Sequence, residues 1–398
     1  MTSRHLRSTL SGLLLWPLLS AWLTACSSTV TAPEPVIPIA SVGEVTLIVA
    51  EQTPPDHALL NLGVVIFEVP EIDSSSAVSG ESIYQQIASN ESHYLPFVLR
   101  NALVDSNQWG AVRVLPEADP SLDLTLRGRL IESNGLNLQL AVQVSDSTGR
   151  EWINKTYRSE TSAADYPGPD PFLRNLSRDE HIDAAAAGDP FADIYHQIAN
   201  DLLALRNTLS REQLEQISLV SEMRYATDIS PQTYQRFLVP GADGLLTVSG
   251  LPARDDPMLL RIQNIKLRHH VFIDTVDEYY EALHQDMQAP YNLWRRYSRD
   301  QTVEDMSAQR RIESQSTAES GSFLALSQSY NRYMWAKLFA QEFMQLAASF
   351  NNEVAPAILE LNRQVHGLSG PVEEQYGQWR EILRQIFELE TGLEAAQD

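Results

Sequence analysis

Residues 122–146 read LDLTLRGRLIESNGLNLQLAVQVSD, and the period of this stretch decides the fold. Leu122, Leu124, Leu126, Gly128 and Leu130 alternate with mostly polar residues, and Leu136, Leu138, Leu140, Val142 and Val144 do the same. A period of two sends successive side chains to opposite faces, so each run is a strand with one buried face. Asn134-Gly135 between the runs is a hairpin signal. Asp146-Ser147-Thr148-Gly149 supplies a second turn, leading into a third strand at 152–157.

Upstream, residues 45–50 and 60–69 are β-rich, and 111–115 is another short strand. Between them Ile83, Ile87, Leu95, Val98, Leu99, Ala102 and Leu103 recur at helical spacing, with a break or kink expected near Leu95 because Pro96 removes a backbone donor. The order is therefore β-β-α-β-β-β-β, closing into a mixed sheet. Downstream, 159–190 reads as a long loop, rich in Pro and Gly. Asp189-Pro190 opens a helix with a buried stripe of Ile194, Ile198, Leu202, Leu205 and Leu209, and a second helix covers 211–223. A short β segment at 237–251 precedes a helical region. A long helix is expected to end before Pro290, followed by helices at 291–314, 323–350, 354–366 and 372–393, with Gly367 and Gly370 as stops. The fold class is α+β: an α/β domain over 41–225, a connector over 226–256, and an all-helical domain over 257–398.

The first 25 residues have the build of a signal peptide. Arg4 and Arg7 form a basic start without acids, and an apolar stretch over 10–22 follows. That stretch is short of the roughly 20 residues a bilayer core requires. Leu23-Thr24-Ala25-Cys26 resembles the lipobox of bacterial lipoproteins, which implies that Cys26, the only cysteine in the chain, is acylated and becomes the mature N-terminus. Ser27 at the next position, by resemblance to enterobacterial sorting, implies the periplasmic face of the outer membrane. Residues 26–40, rich in Ser, Thr, Pro and Ala, read as an extended tether. At ~3.3 Å per residue it would reach roughly 45 Å.

Charge narrows the partners. The chain carries −23 at neutral pH, and loss of Arg4 and Arg7 with the leader makes that −25. So acidic a surface argues against nucleic acid and against electrostatic attraction to anionic headgroups. No basic face is expected, and the bilayer is held through the lipid on Cys26.

The N-terminal region resembles a small α/β fold shared by the TolB N-terminal domain, CsgG and penicillin-binding-protein activator lipoproteins. The residues that carry the resemblance are 62–67 (LGVVIF), then a helix, then 109–114 (WGAVRV), 124–130 (LTLRGRL) and 142–150 (VQVSDSTGR). It covers about 120 residues of this chain. It implies a protein without catalytic residues that binds partners in the cell envelope. The stretch 250–258 (GLPARDDPM) is similar to uncharacterised proteobacterial lipoproteins and brings no function with it.

Motifs for nucleophile elbows, phosphate loops, dinucleotide binding and His-Glu-x-x-His zinc sites are missing from the sequence, and Gly321-Ser322 lies at an expected helix start. His269, His270, Asp274, Asp277 and His284 form the nearest metal-like cluster, with 270, 274 and 277 on one helical face. The bland alternative, a solvated polar face opposite Ile273, Val276 and Tyr280, is the expectation, and no metal or cofactor is expected. Tyr291, Trp294, Arg295, Arg296 and Tyr297 interleave aromatics with arginines, which suits a carboxylate-rich glycan such as peptidoglycan. Their alternative is helix packing with surface arginine pairs. Glu373, Glu374 and Glu381 with Arg380 and Arg384 read as surface charge. Taken together, the sequence predicts a non-catalytic lipoprotein that binds an envelope protein partner. A cell-wall hydrolase acting through carboxylates, or a subunit of a lipoprotein ring or secretion pore, are the alternatives.

Overall fold

The computed structural model describes residues 39–69, 81–166, 188–250, 256–314, 358–361, 364–368 and 370–392. The leader with Cys26, nearly all of the tether, most of the 159–190 loop, residues 251–255 of the 250–258 stretch, and the helix expected at 323–350 with Gly321-Ser322 before it lie outside them.

A five-stranded sheet runs in the order β2-β1-β3-β4-β5. β1 (Leu62–Val65) lies between β2 (Val112–Leu115) and β3 (Leu124–Ser133) and is parallel to both. β3, β4 (Asn137–Asp146) and β5 (Glu151–Glu160) form the expected antiparallel meander. The inner positions Leu124, Leu126, Leu130, Leu138, Leu140, Val142 and Val144 are all buried. Together with the helices that follow, the α+β class holds.

The first expected strand does not form. The 45–50 segment pairs with helix side chains instead of strands: Val45 N–H donates to Asp193 Oδ1 (2.8 Å), Asn200 Nδ2 to the Thr46 carbonyl (2.9 Å), and Ile48 N–H to Asn200 Oδ1 (3.0 Å). Side-chain amides and carboxylates on one helix face satisfy the same backbone groups that a neighbouring strand would. The element order is accordingly β-α-β-β-β-β.

α1 (Glu81–Asp105) connects β1 to β2 and continues unbroken through Pro96. α5 (Pro257–Ser314) likewise runs 58 residues through Pro290, where an end was expected. Proline inside a helix costs about 3 kcal/mol. Burial offsets it at both places: Tyr94, Leu95, Phe97 and Leu99 flank Pro96, and Met287, Tyr291 and Trp294 flank Pro290. Residues 358–361 and 364–367, expected within a helix, pair as the hairpin β8 (Ile358–Leu361) and β9 (Gln364–Gly367). The remaining helices are α2 (Ala192–Arg206), α3 (Arg211–Ile229), the short α4 (Pro231–Tyr234) and α6 (Val372–Thr391), with a small hairpin of β6 (Leu238–Pro240) and β7 (Leu246–Val248) after α4. Ser210 caps α3 with a reciprocal Gln213 capping box.

Two apolar clusters fill the interior. One lies between the sheet and α1 and α2, and takes Met287, Tyr291 and Trp294 from α5. The other joins Val114, Leu115 and Leu122 to α3, α5 and α6 through Met223, Ile262, Ile273, Tyr376 and Trp379. Because α5 supplies both clusters, the chain from Ala40 onward is one compact unit. The expected boundary around 226–256 separates no independent cores.

Both sheet edges are partly closed. At β2, Asp277 of α5 accepts from the Val114 N–H at 2.7 Å, and at β5 the Val42 N–H donates to the Arg158 carbonyl at 2.7 Å. Such capping limits edge-to-edge pairing with other chains. No described helix is long and apolar enough to cross a membrane.

Candidate functional site

α1 and α2 cover one face of β3–β5, so the other phase of each strand points away from the core. Register places Arg127 beside Gln143 and Asn154, then Arg129 beside Ala141 and Thr156, then Gln139 beside Arg158. Arg127, Arg129, Gln143 and Asn154 are exposed and the others half-exposed. Three acids share this face: Glu132 in register with Gln139, Glu151 with Ser145 and Glu160 with Asn137. Glu132 accepts from Asn134 Nδ2 (2.7 Å), and Glu151 from Gln143 Nε2 (3.0 Å) and Asn154 Nδ2 (3.1 Å). Arg158 reaches Asn137 (2.7 Å) and Glu160 (3.2 Å). Among the described residues Arg127 and Arg129 form no ion pair. Glu68 shares a single backbone bridge with Arg129 and no side-chain contact of ion-pair length.

At the β3-β4 end this face runs into a recess. A pocket of about 150 Å³ is lined by Thr125, Arg127, Ser145, Ser147 and Arg224, among others. Arg224 and Pro120 also line the adjoining cleft of about 600 Å³, built by the end of α3, the β6–β7 hairpin and α6. Its walls are apolar at Ile229, Leu238, Leu246 and Phe387. Arg224 donates to the Ser147 carbonyl (3.0 Å) and meets no carboxylate within ion-pair distance among the described residues. The acids of the cleft are differently placed. Asp228 accepts from Arg380 at both oxygens (3.1 Å each) and from Arg384 (2.9 Å), and Arg380 also pairs with Glu117 (2.8 Å). Burial opposes the charge of Arg380, but Asp228 outweighs it and raises its pKa. In the smaller pocket, Asp146 accepts from Thr148, the Arg150 N–H and Trp152 Nε1. Asp119 is likewise engaged, as described below.

The expected glycan patch is packed instead. Tyr291, Trp294 and Arg295 are 1%, 6% and 1% exposed, while Arg296 and Tyr297 are half-buried. The Arg295 guanidinium lies 4.1 Å from the Tyr291 ring centroid and pairs with Asp189 at 2.7 Å. The Tyr291 hydroxyl donates to Glu91, 2.5 Å away. α5 presses these side chains into the sheet-and-helix core, so they offer no open surface to a sugar.

The metal-like cluster is also dispersed, and of its residues only Asp274 is solvated as expected. His269 is fully buried and meets Asp119 at 2.7 Å, with Tyr225 stacked 5.5 Å away. His270 meets Ser121 (3.2 Å), Asp274 pairs with Arg113 (2.5 Å) and Asp277 with Arg100 (2.5 Å). His284 stacks on Tyr94 at 4.5 Å. These residues tie α5 to β2, α1 and the 119–121 turn. Among the described residues no group of three or more His, Cys, Asp or Glu side chains is placed to share a metal ion.

The buried histidines make stability depend on acid. Desolvation lowers His270 to about 3, helped by nearby Lys266 and Arg113, and lowers His284 to about 4. Unfolded histidine takes up its proton near pH 6.5. From that pH down to about 4 the unfolded chain therefore binds more protons, and acid favours unfolding. Glu91, Asp123 and Asp277, raised by burial, act in the opposite sense. His284→Phe keeps a ring against Tyr94 and removes one acid-sensitive group. The urea midpoint of this variant should fall less between pH 6.5 and 4 than that of the wild type. An equal fall would mean that His284 titrates as it does in water.

The arginines of the open face were legible but unread. In LTLRGRL the alternation that fixes the buried phase also fixes Arg127 and Arg129 on the opposite one. The missing signal was the sign of charge counted by strand phase. The total of −23 hid two arginines, Arg127 and Arg129, that form no ion pair among the described residues, although Glu132, Glu151 and Glu160 on the same face keep it from being basic overall.

No family model matches the chain, and no curated protein is significantly similar to it. Among solved structures, the crystal structure of protein XCC0632 from Xanthomonas campestris, of family DUF330, aligns at 12% identity. The alignment covers 43% of this chain and 95% of that one, with a TM-score of 0.21. At that score the likeness carries no argument about fold or function.

Proposed function

We propose that this chain is a non-catalytic lipoprotein, held through acylated Cys26 at the periplasmic face of the outer membrane, that works by binding an envelope protein. The observation that carries the reading is the open polar face of β3–β5, on which Arg127 and Arg129 form no ion pair among the described residues, continuous with an apolar-walled cleft. Flat polar strands beside a recess suit a polypeptide partner, since alternate side chains and an anchoring pocket supply specificity. The lipobox and the resemblance to TolB-type and CsgG-type domains support the same reading. The hydrolase alternative would need two carboxylates across a cleft with shifted acidities; the cleft does hold two acids, Asp228 and Glu388, but Asp228 is clamped between two arginines.

Two measurements test it. A photo-crosslinking residue at Asn154 should capture an envelope protein in intact cells, whereas one at Arg211, exposed on α3, should not. If neither position captures a protein while an established lipoprotein complex does so in the same cells, the binding reading fails. Separately, Cys26→Ser should move the protein from the membrane fraction to the soluble periplasm. Retention in the membrane would remove the anchor. The lipid chains contribute about 0.8 kcal/mol per buried methylene, and nothing in the acidic chain would replace them.

A further inference from the structure

Resting on that reading of the open face, we infer that its partner is an extended acidic peptide segment with a bulky apolar residue at one end. The carboxylates fall on Arg127 and Arg129, and the apolar side chain enters the cleft walled by Leu238, Leu246 and Phe387.

Charge complementarity is the first support. Arg127, Arg129 and Arg224 are exposed guanidinium groups without an ion-pair partner among the described residues. Guanidinium groups favour carboxylates because their planar fork matches two oxygens. Spacing is the second. Arg127 and Arg129 are two residues apart on one strand, so their Cα atoms are separated by about 6.8 Å. An extended peptide repeats its own side chains on one face at the same interval, so acids at alternate positions keep step with the two arginines. Gln143 and Asn154, in register with Arg127, hold Glu151 through their amide nitrogens (3.0 and 3.1 Å) and turn their amide oxygens to the backbone donors of the same peptide.

The cleft selects among anionic partners. It is about 600 Å³, shares Arg224 with the arginine pocket and has aliphatic and aromatic walls. A flat anionic bilayer does not fill a recess of this shape, and a uronate polysaccharide has no bulky aliphatic group to place in it. A peptide can carry both chemistries on one chain. The field of a chain at −23 repels acidic partners elsewhere, so the arginine face would also fix where such a peptide lands.

The test uses the mature lipoprotein in detergent and a fluorescent synthetic peptide alternating Glu with Ser and ending in Phe-Leu. Controls are the same peptide with Gln for Glu and one with Ser for Phe-Leu. Anisotropy should show binding of the acidic apolar peptide. Binding should weaken about tenfold or more for each control peptide and for the Arg127→Gln/Arg129→Gln protein, while Arg211→Gln protein binds as the wild type does. Two exposed charge-assisted contacts suffice for that factor, since tenfold is about 1.4 kcal/mol. Both changed arginines are exposed and unpaired, so the fold should survive, with circular dichroism as the check. Equal binding of the acidic and Gln peptides would overturn the inference. So would unaltered affinity of the double variant. Arginine-dependent binding of phosphatidylglycerol vesicles or soluble peptidoglycan fragments, without binding of the peptide, would overturn it in favour of those partners. Crosslinking at Asn154 with a negative peptide result would leave the partner-binding reading intact and refute only the acidic-peptide chemistry.

Discussion

Gly135→Ala lowers the stability of the chain by about 2–5 kcal/mol and the melting temperature by roughly 3–7 °C. Two costs add. Gly135 has φ +76°, a left-handed conformation that costs an L-residue roughly 1–2 kcal/mol. A Cβ at this position would also lie 2.0 Å from the Arg295 carbonyl oxygen and 2.7 Å from the Arg299 nitrogen. Both are backbone atoms of α5, which cannot rotate away as a side chain would. Overpacking of this kind costs about 1–3 kcal/mol or more. The turn is further held by Thr161 and Tyr166, whose hydroxyls donate to the Gly135 carbonyl at 2.7 and 2.6 Å. Gly149→Ala separates the two costs. Gly149 also has positive φ (+92°), but nothing lies within 4 Å of the position a Cβ would take. It should lose only the backbone share, about 1 kcal/mol. Thermal unfolding of both variants decides the matter. Equal losses would mean that α5 does not cross the β3–β4 turn.

Asp119→Ala is expected to cost about 3–5 kcal/mol, as breaking a buried charged pair typically does. The Asp119 side chain is entirely excluded from solvent, and so is that of His269. It accepts from His269 (2.7 Å), the Tyr376 hydroxyl (2.6 Å) and the Ser121 N–H (2.7 Å). One carboxylate thus joins α5, α6 and the turn after β2. Removing it leaves three buried polar groups without a partner, each costing roughly 1–3 kcal/mol before any relaxation. Burial alone would raise the pKa of Asp119, but the charge and hydrogen bond of His269, with those of Ser121 and Tyr376, outweigh it and hold the carboxyl well below the usual range. A depressed carboxyl stabilises the fold above its unfolded pKa near 3.9 and loses that contribution as pH falls through the lower folded value. The deficit of the variant should therefore be undiminished from neutral pH down to about 4. Urea unfolding of Asp119→Ala, Tyr376→Phe and the double variant should show coupling, because both changes remove the same hydrogen bond. Simple additivity would contradict the shared site.

The meander was legible because its signal is local. Leu124 to Leu130 and Leu138 to Val144 alternate, and inner-face burial follows from the pleat whatever surrounds it. Asn134-Gly135 marked the turn, but Asn134 Oδ1 accepts from the Leu136 and Asn137 N–H groups (3.0 and 2.7 Å), which makes a three-residue connection rather than a two-residue one. The break expected in α1 near Leu95 and the end expected in α5 before Pro290 are both missing for one reason. A proline penalty is visible in the sequence, and the tertiary burial that offsets it is not.

The same division applies to the candidate sites. Aromatics and arginines at 291–297 look alike in sequence whether they face water or a core, and only the docking of α5 on the sheet buried them. The histidines and aspartates of 269–284 found partners 149 residues or more away in sequence, such as Ser121, Asp119 and Arg100. No local spacing encodes a pairing of that range. By itself the sequence determined the phase of each strand, and with it the side on which Arg127 and Arg129 stand, because the pleat allows only two sides. Tertiary structure alone decided which side is covered. The apolar phase drew α1 and α2 onto one face, the long α5 partly closed the β2 edge, and the arginine phase was left open beside a cleft that three distant elements build.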